Sequence, residues 1–122
     1  SLYRADWAVM TEPEIRAAKW LVTVAGKNFR IYTDAYGAGP LYQELGGRIW
    51  SLPYALSTQS QPSYIFLRHW NIAHDEVVWF RIVGVQEVLE HVNITRQTEL
   101  SEALKERGKI YDNRWAQVLG PR

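Results

Sequence analysis

SYIFLRHWN, residues 63–71, is the stretch whose reading decides the fold. Tyr64, Ile65, Phe66 and Leu67 follow one another with no polar residue between them. A strand with one wet face alternates apolar and polar side chains, because successive residues point to opposite sides of the sheet. An unbroken apolar run of this composition instead predicts a strand covered on both faces, at the centre of a sheet.

On its C-terminal side, IAHDE (72–76) reads as a polar turn and VVWFRIVGV (77–85) as a second strand, expected to be the antiparallel neighbour of the first. Residues 86–96 fit a strand and a helix equally well. TELSEALKERG predicts a helix, with Thr98 as N-cap, Leu100 and Leu104 on one face, Lys105 and Arg107 near the negative end of the dipole, and Gly108 as the stop. KIYDNRWAQVL (109–119) then predicts a hairpin turning at Asp112-Asn113 and finishing the edge of the sheet, with Ile110, Tyr111, Trp115 and Val118 as its packing contacts.

On the N-terminal side, Thr11 and Glu14 form a capping-box pattern, Pro13 falls in a first turn that needs no N–H there, and Gly26 supplies a stop. A helix over 12–25 follows, with Ile15, Ala18, Leu21, Val22 and Ala25 as its apolar stripe and Arg16 and Lys19 facing water. NFRIYT reads as a strand ending at Asp34, AYGAG as a glycine-rich loop, PLYQEL as a short helical turn, RIWSLP as a strand and YALSTQSQPS as a surface loop. This grammar predicts one α/β domain over residues 1–122, a layered, Rossmann-like sandwich with a mixed sheet and a terminal β-hairpin at the edge.

Composition narrows the function. A chain of 122 residues with 47% apolar content can bury a core without staples. Fourteen basic and 13 acidic residues give a net charge of +1, too little field to gather nucleic acid, so no nucleic-acid partner is expected. Cysteine is absent, which removes thiolate chemistry and disulfides. No apolar run reaches the roughly 20 residues that cross a bilayer.

Two clusters carry candidate chemistry. Asp34, Tyr36, Gly37 and Gly39, with Tyr42 beyond them, follow a strand end, where α/β sheets gather ligands; a carboxylate beside Gly-rich backbone there suits a sugar hydroxyl or a phosphate-bridging cation. The blander reading makes Asp34 a cap and the glycines a turn. RHWNIAHDE brings His69, His74, Asp75 and Glu76 close in sequence, yet with His69 on a strand and the others in a turn it reads as a solvated hairpin turn, not a metal site. His91 stands alone. AYGAGP is neither a P-loop nor a dinucleotide fingerprint, so no cofactor is expected. Six tryptophans and seven tyrosines supply both a core, with Trp20, Phe66, Trp70 and Trp79 assigned to it, and a sugar-stacking platform in Tyr36, Tyr42, Trp50 and Tyr54. Asn93-Ile94-Thr95 is an N-x-T sequon.

The phrases AAKWL, IYTD, YIFLRHWN, LSEAL and KIYDN, in this order, resemble the C-terminal soluble domain of large multi-pass membrane proteins found chiefly in archaea, several of them similar to glycosyltransferases in their membrane half. The resemblance runs from about Trp20 to Leu119. Its one departure is Arg114, where the family pattern has glycine after Asp-Asn. The resemblance implies an extracytoplasmic domain tethered to an absent membrane region and excised from a C-terminus, with no defined activity of its own.

Three functions are expected in turn. The first is a non-catalytic accessory domain that binds or positions glycan, lipid-linked sugar or a polypeptide acceptor through Asp34, Tyr36 and Tyr42. The second is an interaction module docking on its own transmembrane region or a membrane subunit. The third is a small hydrolase or transferase built on Asp34 with His74 or Asp75. No nucleophile motif is present, which weighs against an autonomous enzyme.

Overall fold

The structure is a computed structural model that describes residues 11–25, 29–37, 49–52 and 63–120. Ten elements are seen: α1 (Glu12–Ala25), β1 (Arg30–Thr33), β2 (Ile49–Ser51), β3 (Ser63–Arg68), α2 (His69–His74), β4 (Glu76–Val83), β5 (Gln86–Asn93), α3 (Thr98–Lys105), β6 (Lys109–Asp112) and β7 (Ala116–Leu119).

Strand β3 is the middle of a five-stranded sheet ordered β2-β1-β3-β7-β6, and all six of its residues are buried. Parallel pairing joins β2 to β1 and β1 to β3, while β7 runs antiparallel to β3 and β6 antiparallel to β7. The apolar run explains the burial residue by residue. Tyr64 and Phe66 face one side with Ile31, Ala116 and Val118, covered by Ala17, Ala18, Leu21 and Ala25 of α1. Ile65 and Leu67 face the other with Tyr32, Leu52 and Leu119, covered by Val77, Ile94 and Leu100.

Helix α1 has the predicted bounds, but its buried face is Glu14, Ala17, Ala18, Leu21 and Ala25. Ile15 and Val22 lie only at the margin of that face. The rotation follows from Glu14, whose carboxylate accepts from the Thr11 N–H at 2.7 Å and the His69 N–H at 2.7 Å, and so turns inward. Alanines beneath it let the helix approach β3 and β7 closely.

Several expectations are corrected. Residues 69–71 do not prolong the strand: the chain turns into α2 at His69, where the Asn71 side chain accepts from the Arg68 N–H at 2.7 Å. The antiparallel neighbour of β3 is β7, not the 77–85 strand. That strand, β4, pairs instead with β5 in a separate two-stranded ribbon of eight residue pairs, from Glu76↔Asn93 to Val83↔Gln86, which settles the open stretch 86–96 as strand and turn. Gly84 at φ +64° supplies the positive φ this two-residue turn requires. The cap of α3 is Gln97, whose side chain accepts from the Leu100 N–H at 3.2 Å, and not Thr98. Of the terminal hairpin only β6 is an edge; β7 lies inside the sheet. The described elements make a mixed α/β fold with a mixed sheet, as expected. The expected helical turn at 40–45 and the loop at 54–63 lie, apart from Ser63, outside the described residues.

Candidate functional site

Asp34 leaves the end of β1 and enters the interior, and Arg68 leaves the end of β3 beside it; both side chains are fully buried. The Asp34 carboxylate accepts five hydrogen bonds. Oδ1 takes the Gly37 N–H at 3.0 Å and Arg68 Nε at 2.9 Å, while Oδ2 takes Arg68 Nη2 at 2.7 Å, Asn71 Nδ2 at 2.9 Å and the Val78 N–H at 3.1 Å. A carboxylate offers about four lone-pair directions, so these donors saturate it. The two-pronged Arg–carboxylate contact is the strong form of the ion pair, and its burial makes it costly to break from one side only.

The consequence is architectural. One carboxylate ties the loop after β1, the end of β3, helix α2 and the start of β4, and the Ala35 N–H donates to the Val78 carbonyl at 2.7 Å alongside it. Asn71 completes the link, donating also to the Glu76 carbonyl at 2.8 Å. A Cβ at Gly37 would collide with the Thr33 hydroxyl, which is why glycine stands there. The blander reading of Asp34 thus describes its geometry. The sequence reading did not single out Arg68 and Asn71, nor the bond from the His69 N–H to Glu14; the available signal was a charge closing a doubly covered strand, which must find a partner.

The remaining candidates are dispersed. Tyr36 is half-buried against Phe80, ring centroids 6.2 Å apart, with the Arg68 guanidinium 5.8 Å from its ring. Gly39 and Tyr42 lie outside the described residues, as does Tyr54. His69 opens α2 and His74 closes it, each on a different aromatic: His69 packs on Trp115 at 4.8 Å and His74 stacks on Trp70 at 3.7 Å. Asp75 sits at φ +54° as the cap of α2 and accepts from the Thr95 hydroxyl. Neither His74 nor Asp75 is a partner of Asp34. Glu76 accepts from Trp70 Nε1 at 2.5 Å and pairs with His91 Nδ1 at 3.0 Å. Among the described residues no group of three His, Cys, Asp or Glu could hold a metal ion. Glu90, His91, Val92, Asn93, Arg96 and Gln97 line an open groove of about 350 Å³ along β5.

The outer half of the β4–β5 ribbon is different in kind. Past the buried Trp79, it runs clear of the core and exposes Phe80, Ile82, Val83, Val85 and Val88, with Ile82 77% exposed and Val85 fully so at the turn. Its described polar tie is an exposed Arg81–Glu90 pair at 3.1 Å. None of the described helices is long and apolar enough to cross a membrane.

Residues 4–119 match a family model described as predicted membrane protein (DUF2206). The chain belongs to this family. No curated protein and no solved structure matches it. In this DUF2206 chain, then, the Asp34 carboxylate is engaged in holding the described elements together, and among the described residues the β4–β5 ribbon turns apolar side chains outward.

Proposed function

We propose that this chain is an accessory domain of a multi-pass, glycosyltransferase-like membrane protein, held at the outer face of the membrane. It acts as an interaction module that docks on the membrane-embedded part of the same protein through the β4–β5 arm. The observation that carries this reading is the exposed apolar end of the ribbon, on a member of a predicted membrane protein family. Isolated apolar side chains are ordinary on a surface, but here Phe80 and Ile82 on one face of a projecting hairpin, Val83 and Val88 on the other and Val85 at its turn are all exposed, a concentration that supports a contact site. Fully burying Ile82 and Val85 against a partner is worth about 1.5–3 kcal/mol each.

The glycan-binding alternative leaned on Asp34 as well as Tyr36. With that carboxylate saturated by protein donors, Asp34 has no free acceptor for a sugar hydroxyl, and Tyr36 already packs on Phe80.

A photo-reactive amino acid placed at Val85 of the full-length protein in its membrane tests the proposal. It should cross-link to the transmembrane region of the same polypeptide, and Ile82→Asp should abolish the product. The same probe at Lys19, on the exposed face of α1, should give none. Equal labelling from both positions, or none from Val85, refutes the docking role.

A further inference from the structure

Three asparagines lie among the described residues, and their amide groups differ in one respect. Asn71 is buried and spends its amide nitrogen on Asp34 and the Glu76 carbonyl. Asn113 donates from its amide nitrogen to the Pro13 carbonyl at 2.8 Å. Asn93 is exposed, and its side chain is engaged through the oxygen alone, Oδ1 accepting from the Arg96 N–H at 2.9 Å. Asn93 is also the asparagine in the N-x-T sequon.

We propose that Asn93 carries an N-linked glycan, transferred from a lipid-linked oligosaccharide. In the transfer the Asn93 amide nitrogen forms a bond to the anomeric carbon of the first sugar and gives up one proton to a base of the transferase. The bond from that carbon to the lipid phosphate breaks, and the phosphate leaves with the electron pair. No oxidant or reductant is needed. A transferase meets the sequon as extended chain; the fold must then leave room at the amide nitrogen and lose no contact when it is substituted.

The structure meets both conditions. Substitution at nitrogen keeps Oδ1 as an acceptor, so the bond from Arg96 survives. Asn93 is the last residue of β5, its side chain opens onto the groove shared with His91, Arg96 and Gln97, and Thr95 is held separately by Asp75. The turn of the ribbon lies seven residues away along β5, about 23 Å at strand spacing, so a glycan at the base leaves the apolar end free to dock. The inference shares the outer-face placement proposed above but not the docking role.

The test is mass spectrometry of the full-length protein purified from its native membranes. Trypsin releases residues 82–96 as one peptide, since no Lys or Arg lies between Arg81 and Arg96. That peptide should carry a sugar mass series localised to Asn93. Asn93→Gln and Thr95→Ala should lose it completely, whereas Thr95→Ser, which keeps a hydroxyl for both the transferase and Asp75, should retain it. Recovery of the peptide only at its unmodified mass, or a glycan at another residue of it, overturns the assignment. Cross-linking from Val85 is read separately, so either proposal can fail without the other.

Discussion

Replacing Asp34 with alanine tests whether the buried carboxylate is the tie of the fold. The change takes the carboxylate acceptor from two N–H groups of Arg68 and from the Val78 backbone N–H, while the Gly37 N–H keeps the backbone carbonyl of residue 34 at 3.2 Å and Asn71 keeps the Glu76 carbonyl. Removing one partner of a buried ion pair costs about 3–5 kcal/mol, and each orphaned buried donor about 1–3 kcal/mol. Water entering the vacated space offsets part of the sum, so the expected loss is about 5 kcal/mol, against total stabilities of about 5–15 kcal/mol for domains in general. Urea unfolding followed by tryptophan fluorescence reads it, because Trp70 and Trp79 flank the site. Arg68→Met alone should be severe too, since it leaves Asp34 charged and buried. The double variant should lose less than the two single losses added, with a coupling of about 2–3 kcal/mol. A loss under about 1 kcal/mol for Asp34→Ala, or strict additivity, would refute the reasoning.

Further expectations concern the turns. Arg114 sits at φ +77°, a conformation that costs an L-residue about 1–2 kcal/mol; Arg114→Gly should therefore stabilise the domain, by about 0.5–1 kcal/mol after the greater freedom of glycine in the unfolded chain is deducted, measured as a higher urea midpoint. Gly120 at φ +118° leaves no space for a Cβ, which would lie 2.8 Å from the Ser63 carbonyl oxygen; Gly120→Ala should destabilise by about 2–3 kcal/mol and loosen amide exchange protection in β3 and β7. The hydrogen bond from Lys109, with a second from the Arg114 N–H, holds the Asp112 carboxyl below its ordinary value near 3.8. Because the folded-state value is the depressed one, this contribution is present above the unfolded value and lost as pH falls through the folded one. Carbon-detected NMR titration should give Asp112 a midpoint below 3.8 that moves back up in Lys109→Ala.

How far the fold was legible follows from where its information sits. The Thr11–Glu14 pattern, the helix over 12–25 and the continuous apolar run at 64–67 are local signals, and each led to the right element. Pairing partners are not local. VVWFRIV looks as competent to flank β3 as AQVL does, but its start is tied instead to Asp34, Ala35 and Asn71, contacts that no local pattern announces, and the strand pairs in its own ribbon. The strand at 86–93 was ambiguous because Val88, Leu89 and Val92 satisfy both periods, and its glycine turn with β4 decides. At the candidate site, Asp34 was picked out by position alone, while its function depends on Arg68 and Asn71, which sequence spacing does not bring near it. The histidines were separable only once α2 was seen to hold them at opposite ends. The glycine that the resemblance leads one to expect after Asp-Asn would suit this turn: Arg114 occupies the positive-φ conformation that glycine adopts without strain.

The place of β7 has a consequence for biosynthesis. Of the described strands it is the last to leave the ribosome, yet it fills the gap beside β3, and its turn residue Asn113 reaches back across 100 positions to the Pro13 carbonyl. During translation β1 and β3 can pair while the other rim of β3 stays unsatisfied until residue 119 is free of the exit tunnel. Assembly is therefore expected to wait for β7 and to be slow to complete, as contacts between distant segments dictate, and a nascent chain halted before Ala116 should display a sticky strand edge that chaperones must shield.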